Sequence, residues 1–222
     1  MALTAELVAR IARTEPDPGP RPDLGYHSEQ DYDDVVTALL AEHNPDDLWI
    51  FAYGSLIWKP EFEHVEHCRA TATGWHRSFC MKITRWRGTP AQPGLMMGLD
   101  RGGSCQGVAY RLPAEDRFGQ LGRLVRREMS VKPATNTPRW IRIRRSKGQL
   151  RALAMTVNPK GSAYIGRLPP EEVARMLAVA AGHLGSGAEY LFQTVKHLDE
   201  YGIRDAYLWR LQELVAREIQ NL

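Results

Sequence analysis

The chain has 222 residues, 43% hydrophobic and 25% charged, ordinary globular proportions with enough apolar content for a core. No run approaches the roughly 20 apolar residues of a membrane span, and Met1 to Glu6 lack the basic and apolar blocks of a signal peptide. Three scattered cysteines (Cys68, Cys80, Cys105) make neither a disulfide framework nor a tetrathiolate zinc site. The expectation is a monomeric cytoplasmic protein without a membrane partner. Its net charge of +3 conceals an asymmetry. Residues 1–48 carry 11 acids against 3 bases, a net of −8, and residues 49–222 carry 26 bases against 15 acids, a net of +11. A basic body suits an anionic ligand, either nucleic acid or a small carboxylate, and the acidic segment can lie against it.

In chain order, residues 2–12 suggest a short helix. The proline-rich stretch from Glu15 to Pro22 suggests a linker. Ser28 and Asp31 have the spacing that starts a helix, here to about His43. Leu48 to Tyr53 is an apolar, aromatic run ending at Gly54-Ser55, the pattern of a buried strand. Strand-like pieces follow at 72–83, 95–99 and 106–111. Pro113 opens a helix to about Met129. Residues 139–145 and 149–157 alternate around Ser146-Lys147-Gly148, a hairpin signature. Helices from Pro169, at 187–201 and at 204–221 complete the chain. Strands first and helices later is the α+β pattern.

Glu128 is the most informative residue. On a helical wheel, Phe118, Leu121, Leu124, Val125 and Met129 form an apolar stripe, and Glu128 falls inside it. Arg123, Arg126 and Arg127 point away. A carboxylate on a core-facing stripe needs a partner or a purpose. Burial raises its pKa toward neutrality and fits it for proton transfer, while a buried ion pair with one of the arginines explains it equally well. Tyr53-Gly54-Ser55-Leu56 follows the first strand directly. It is either an ordinary turn or a set of backbone N–H groups that, with the Ser55 hydroxyl, holds an anion. His64, His67 and Cys68 lack a second pair of ligands, and solvated histidines are the simpler account. In Arg139 to Arg145, Arg142 and Arg144 share one face of a strand and Ile141 and Ile143 the other, which suits a solvated sheet face.

These segments together carry a resemblance. Tyr53 to Pro60, Gly74 to Phe79, Gly107 to Tyr110, Arg127-Glu128, Tyr164 to Gly166 and Glu189 to Leu191 resemble the ChaC-like family of γ-glutamylcyclotransferases over about residues 48–205. The resemblance implies a small barrel-containing fold with flanking helices, residues 48–222 as the domain and residues 1–47 as an N-terminal extension. It implies that Glu128 is a general acid/base and that Tyr53, Gly54, Ser55, Leu56, Arg77 and Tyr164 contact substrate. The implied reaction splits glutathione into pyroglutamate and cysteinylglycine with no cofactor and no metal. Other γ-glutamyl amides are the alternative substrates, and a non-catalytic nucleic-acid-binding domain is the alternative function. The proline-rich linker separates residues 1–22 from every motif, so that segment is expected to be dispensable for chemistry.

Overall fold

In a computed structural model, which describes residues 1–222, Thr4 caps helix α1 (Ala5–Arg10) by accepting from the Leu7 N–H. Strand β1 (Gly25–Tyr26) precedes α2 (Glu29–Glu42), which begins as the Ser-x-x-Asp spacing predicts. The Ser28 hydroxyl accepts from the Asp31 N–H, and the Asp31 carboxylate accepts from the Ser28 N–H. Strand β2 (Trp49–Ala52) is buried at every residue and runs into a single 3₁₀ turn at Ser55–Ile57.

Strands β3 (Glu66–Ile83) and β4 (Gly94–Arg111) each span 18 residues. The sequence pattern suggests two pieces where β4 is one strand. Gly102 and Gly103, at φ 103° and 70°, carry the chain across the gap in a conformation that a side chain would resist. Helix α3 (Arg117–Glu128) starts four residues later than Pro113 predicts, because the Asp116 carboxylate caps the Gly119 N–H. Next come β5 (Val131–Lys132), β6 (Asn136–Arg145), β7 (Gly148–Val157) and α4 (Pro170–Val179). The chain ends with β8 (Ala181–Gly182), β9 (Gly185–Ser186), α5 (Gly187–Glu200) and α6 (Ala206–Gln220). The two-residue strands β1, β5, β8 and β9 are too short to leave a periodic signal.

The chain divides into two compact units. The first comprises Pro22–Arg77 and Gly98–Ser162. It holds α2, α3 and most of a closed barrel in the order β2-β4-β3-β6-β7, in which β2 meets β7 in parallel at Ile50 and Leu153. Trp49, Phe51, Tyr110, Ile143 and Leu153 fill its core. Gly107 is needed there, because a Cβ would lie 2.3 Å from the Ala52 carbonyl oxygen. On β6 the expected alternation holds, with Ile141 and Ile143 buried and Arg142 and Arg144 exposed. On α3, Leu121, Leu124 and Val125 are buried as expected. Phe118 is not, being 43% exposed in the first turn, so the wheel's stripe is one residue shorter.

Within this unit, the part of the acidic segment from Pro22 onward lies on basic residues of the barrel and α3. Glu29 pairs with Arg126 at 2.6 Å, Asp31 with Lys132 at 2.6 Å, Glu42 with Arg151 at 2.7 Å and Asp47 with Arg111 at 3.2 Å. Each pair is solvent-exposed and worth at most about 1 kcal/mol, so they orient α2 more than they hold it. The anchor is apolar, through Tyr32, Val36 and Leu39.

The second unit comprises Met1–Arg21, Ser78–Met97 and Ala163–Leu222. Its helices bury Leu177, Leu191, Leu211 and Val215. The N-terminal stretch is not a loose appendage. Leu3 is fully buried, and the N–H groups of Ala2 and Leu3 both donate to Gln212 Oε1 at 2.7 Å. Asp17, inside the proline-rich stretch, accepts two bonds of 2.7 Å from Arg85, which holds its carboxyl down at about 2. Leu3→Ala is therefore expected to cost about 2–5 kcal/mol of stability, visible as a lower denaturant midpoint. An unchanged midpoint would show that the segment contributes nothing to packing.

Candidate active site

The end of α3 places Glu128. Three residues beyond the fully buried Val125, it continues the core-facing side of the helix, and its side chain is only 16% exposed. Burial pushes its carboxyl above the usual range, and the nearby Glu61 adds to this, while the Arg127 guanidinium works against both. Arg127 Nε lies 3.1 Å from Glu128 Oε1. On the other side, Asn136 at the start of β6 donates its Nδ2 to Glu128 Oε2 at 3.3 Å and to the Glu128 carbonyl at 3.5 Å.

Arg127 departs from the sequence expectation. Its backbone lies off the apolar stripe, but its long side chain curls around the helix end and is 17% exposed. The guanidinium donates to Ser55 Oγ at 3.0 Å and to the Lys59 carbonyl, and it sits 3.8 Å from Glu61. One planar cation thus joins the turn after β2 to the carboxyl at the end of α3. Both readings of Glu128 meet here, since the carboxyl has an arginine partner and is also the buried acid of a polar cluster.

The turn is held from within. The Gly54 carbonyl accepts from the Ile57 N–H at 2.9 Å, and the Ser55 carbonyl accepts from Trp58 and Lys59 at 3.2 and 2.8 Å. The first N–H groups of such a turn have no acceptor inside it. Tyr53 and Leu56 are buried, so their side chains fix the loop in the core. The Tyr110 hydroxyl donates to the Ile57 carbonyl at 3.2 Å.

The remaining motif residues occupy other places. Arg77 is buried on β3, where its guanidinium donates to Cys105 Sγ at 3.2 Å and to the Gln106 carbonyl on β4. Tyr164 belongs to the second unit, in a bridge with Met81. Also in that unit, Arg87 donates to Glu189 at 2.7 Å and to the Ser186 carbonyl at 2.8 Å, and stacks over Tyr190. This Glu189-Tyr190 segment therefore secures the start of α5. The exposed His64 and His67 rings pack near each other and against Tyr110, with centroids 4.8 and 6.1 Å from it.

Three members of the cluster are not legible in the sequence: Arg127, Asn136 and Glu61, the last standing just past the Tyr53 to Pro60 motif with nothing to tie it to α3. Arg127 was set aside by its wheel position, although a cation in the last helical turn can reach round the helix end. Asn136 stands eight residues beyond Glu128 at a strand start, with no pattern linking the two.

A sequence profile of ChaC-like proteins matches residues 48–218. The chain is 36% identical over 183 residues to the glutathione-specific γ-glutamylcyclotransferase of Escherichia coli, covering 82% of this chain and 78% of that protein. It is 32% identical over 164 residues to the human glutathione-specific γ-glutamylcyclotransferase 1, covering 68% and 69%. The crystal structure of a yeast γ-glutamyl cyclotransferase specific to glutathione shares the fold. It has a TM-score of 0.70 at 23% identity and covers 78% of this chain and 97% of that one. The chain belongs to the ChaC-like family of γ-glutamylcyclotransferases.

Proposed function

We propose that the protein cleaves glutathione to pyroglutamate and cysteinylglycine, with Glu128 as the general acid/base. The names of its relatives support the substrate. The observation that carries the chemistry is the buried Glu128 carboxyl between a cation and an amide, joined through Arg127 to the Ser55 turn. In the reaction, the α-amine of the γ-glutamyl group attacks its own γ-carbonyl carbon, and the bond to the cysteine nitrogen breaks. Two protons pass from the attacking nitrogen to the departing one. A carboxyl of raised pKa that can take and return a proton serves both transfers. Because the attack is intramolecular, holding the folded conformer supplies several kcal/mol of the acceleration.

The Ser55 turn is assigned to a carboxylate of the substrate or to the oxygen that becomes negative on attack. Arg77 and Tyr164 enter the proposal through the motifs that contain them. Residues 48–222 are assigned the chemistry, and residues 1–47 brace them. No helix is long and apolar enough to cross a membrane, and a monomer acting in the cytoplasm is the working assignment. Incubation with glutathione, followed by mass spectrometry for pyroglutamate, tests the reading. Release from other γ-glutamyl amides but not from glutathione would replace the substrate and keep the reaction.

Ser55→Ala removes the hydroxyl that receives Arg127 and leaves the backbone donors in place. Its expected effect is a rise in KM worth roughly 1–3 kcal/mol with a smaller change in kcat. A collapse of kcat at unchanged KM would reassign Ser55 from binding to chemistry.

A further inference from the structure

Asn136 is 7% exposed, and only half of its amide is used. Nδ2 donates to Glu128, whereas Oδ1 is buried with no hydrogen-bond partner. A buried acceptor left unsatisfied costs free energy, and native proteins rarely keep one without a use. Here the unused oxygen belongs to the amide that touches the proposed acid/base, so an acceptor and a carboxyl stand side by side. An ammonium group carries several N–H donors and no acceptor, which matches that pair. Arg127 and Glu61 already face each other and Glu128, and neither supplies a donor to Oδ1.

We propose that Asn136 is a further substrate-contacting residue, its Oδ1 accepting an N–H of the γ-glutamyl α-ammonium while Glu128 takes the proton of another. The inference rests on the cyclotransferase reading above. Asn136 orients the attacking nitrogen and holds Glu128 through the other end of the same amide. It also selects for substrates with a free α-amino group, since a chain ending in a plain methylene leaves Oδ1 unsatisfied.

The test compares glutathione with its deamino analogue, glutaryl-cysteinylglycine, which cannot cyclise and is used as a competitive inhibitor. Asn136→Leu keeps the branched shape and removes both polar ends. Its KM for glutathione is expected to rise about tenfold or more, the loss of a hydrogen bond to a charged group, while the Ki of the deamino analogue stays within about twofold. Equal weakening of both ligands would show a merely structural residue, and unchanged KM would show no contact; either overturns the proposal. Should Asn136→Leu fail to fold, Asn136→Asp decides. It retains the acceptor and adds a negative charge, so KM should hold while the acid limb of the pH profile moves upward. A tenfold rise in KM for Asn136→Asp would overturn the contact. A wild-type protein that releases no pyroglutamate from any γ-glutamyl amide would remove the cyclotransferase reading and this inference together. Normal wild-type turnover with normal Asn136→Leu kinetics would remove the inference alone.

Discussion

Glu128→Gln is expected to lower turnover on glutathione about 100-fold or more while leaving the fold intact. The amide keeps the size and the contact with Asn136 but can neither take nor return a proton. Thermal melting separates this outcome from a purely structural role. Burial holds the Glu128 pKa above its unfolded value. An acid raised in this way stabilises the fold below the unfolded pKa, and that contribution is lost as the pH climbs through the folded one. The amide has no such loss, so the variant's stability relative to wild type should improve as the pH rises through and above the ordinary carboxylate range. Arg127 retains Glu61 at 3.8 Å, which limits the cost of the missing charge. A stable variant with near-normal turnover would remove Glu128 from the mechanism.

Arg127→Gln is expected to reduce kcat/KM at neutral pH by about tenfold or more, and to move the acid limb of the profile to higher pH. The direction follows from charge. Arg127 is the group that opposes the rise in the Glu128 pKa, and without it burial and Glu61 act unchecked. The base is then protonated over a wider range, and part of the lost activity returns in alkaline buffer. Arg127→Lys keeps the charge and loses the planar fork, so its limb should move less, although Ser55 and the Lys59 carbonyl lose their shared donor. A profile unchanged in Arg127→Gln would mean that the guanidinium does not face the titrating group.

The parts of the fold that were legible in the sequence are those whose signal is local. Ser28 and Asp31 announced a capping box, and Leu48 to Tyr53 announced a buried strand. Ser146-Lys147-Gly148 announced the hairpin, with Gly148 at φ 111°. Glu128 was legible for a similar reason, because a single carboxylate breaks an apolar stripe. What stayed hidden depends on partners distant in the chain. The pairing of β1 with β5 joins Gly25 to Lys132, residues with no pattern of their own. The continuity of β4 through Gly102 and Gly103 is set by the neighbouring strand, which overrides the weak propensity of glycine. Asn136 gained its role only when β6 brought it to the end of α3. Arg127 was misplaced because a wheel tracks where a side chain starts, and the far end of an arginine lies several bonds away.

The paired carboxylates of α2 and its following loop have an effect that reaches beyond packing. By neutralising Arg126, Lys132, Arg151 and Arg111, they subtract from the field of a body whose own net charge is +11. Left bare, that surface would attract any polyanion, and nucleic acid is the most abundant competitor such a patch meets in a cell. The whole chain instead carries +3. A built-in counterion of this kind weakens the long-range field that such a surface would present to an anionic polymer, an electrostatic effect separate from any contact with a small molecule.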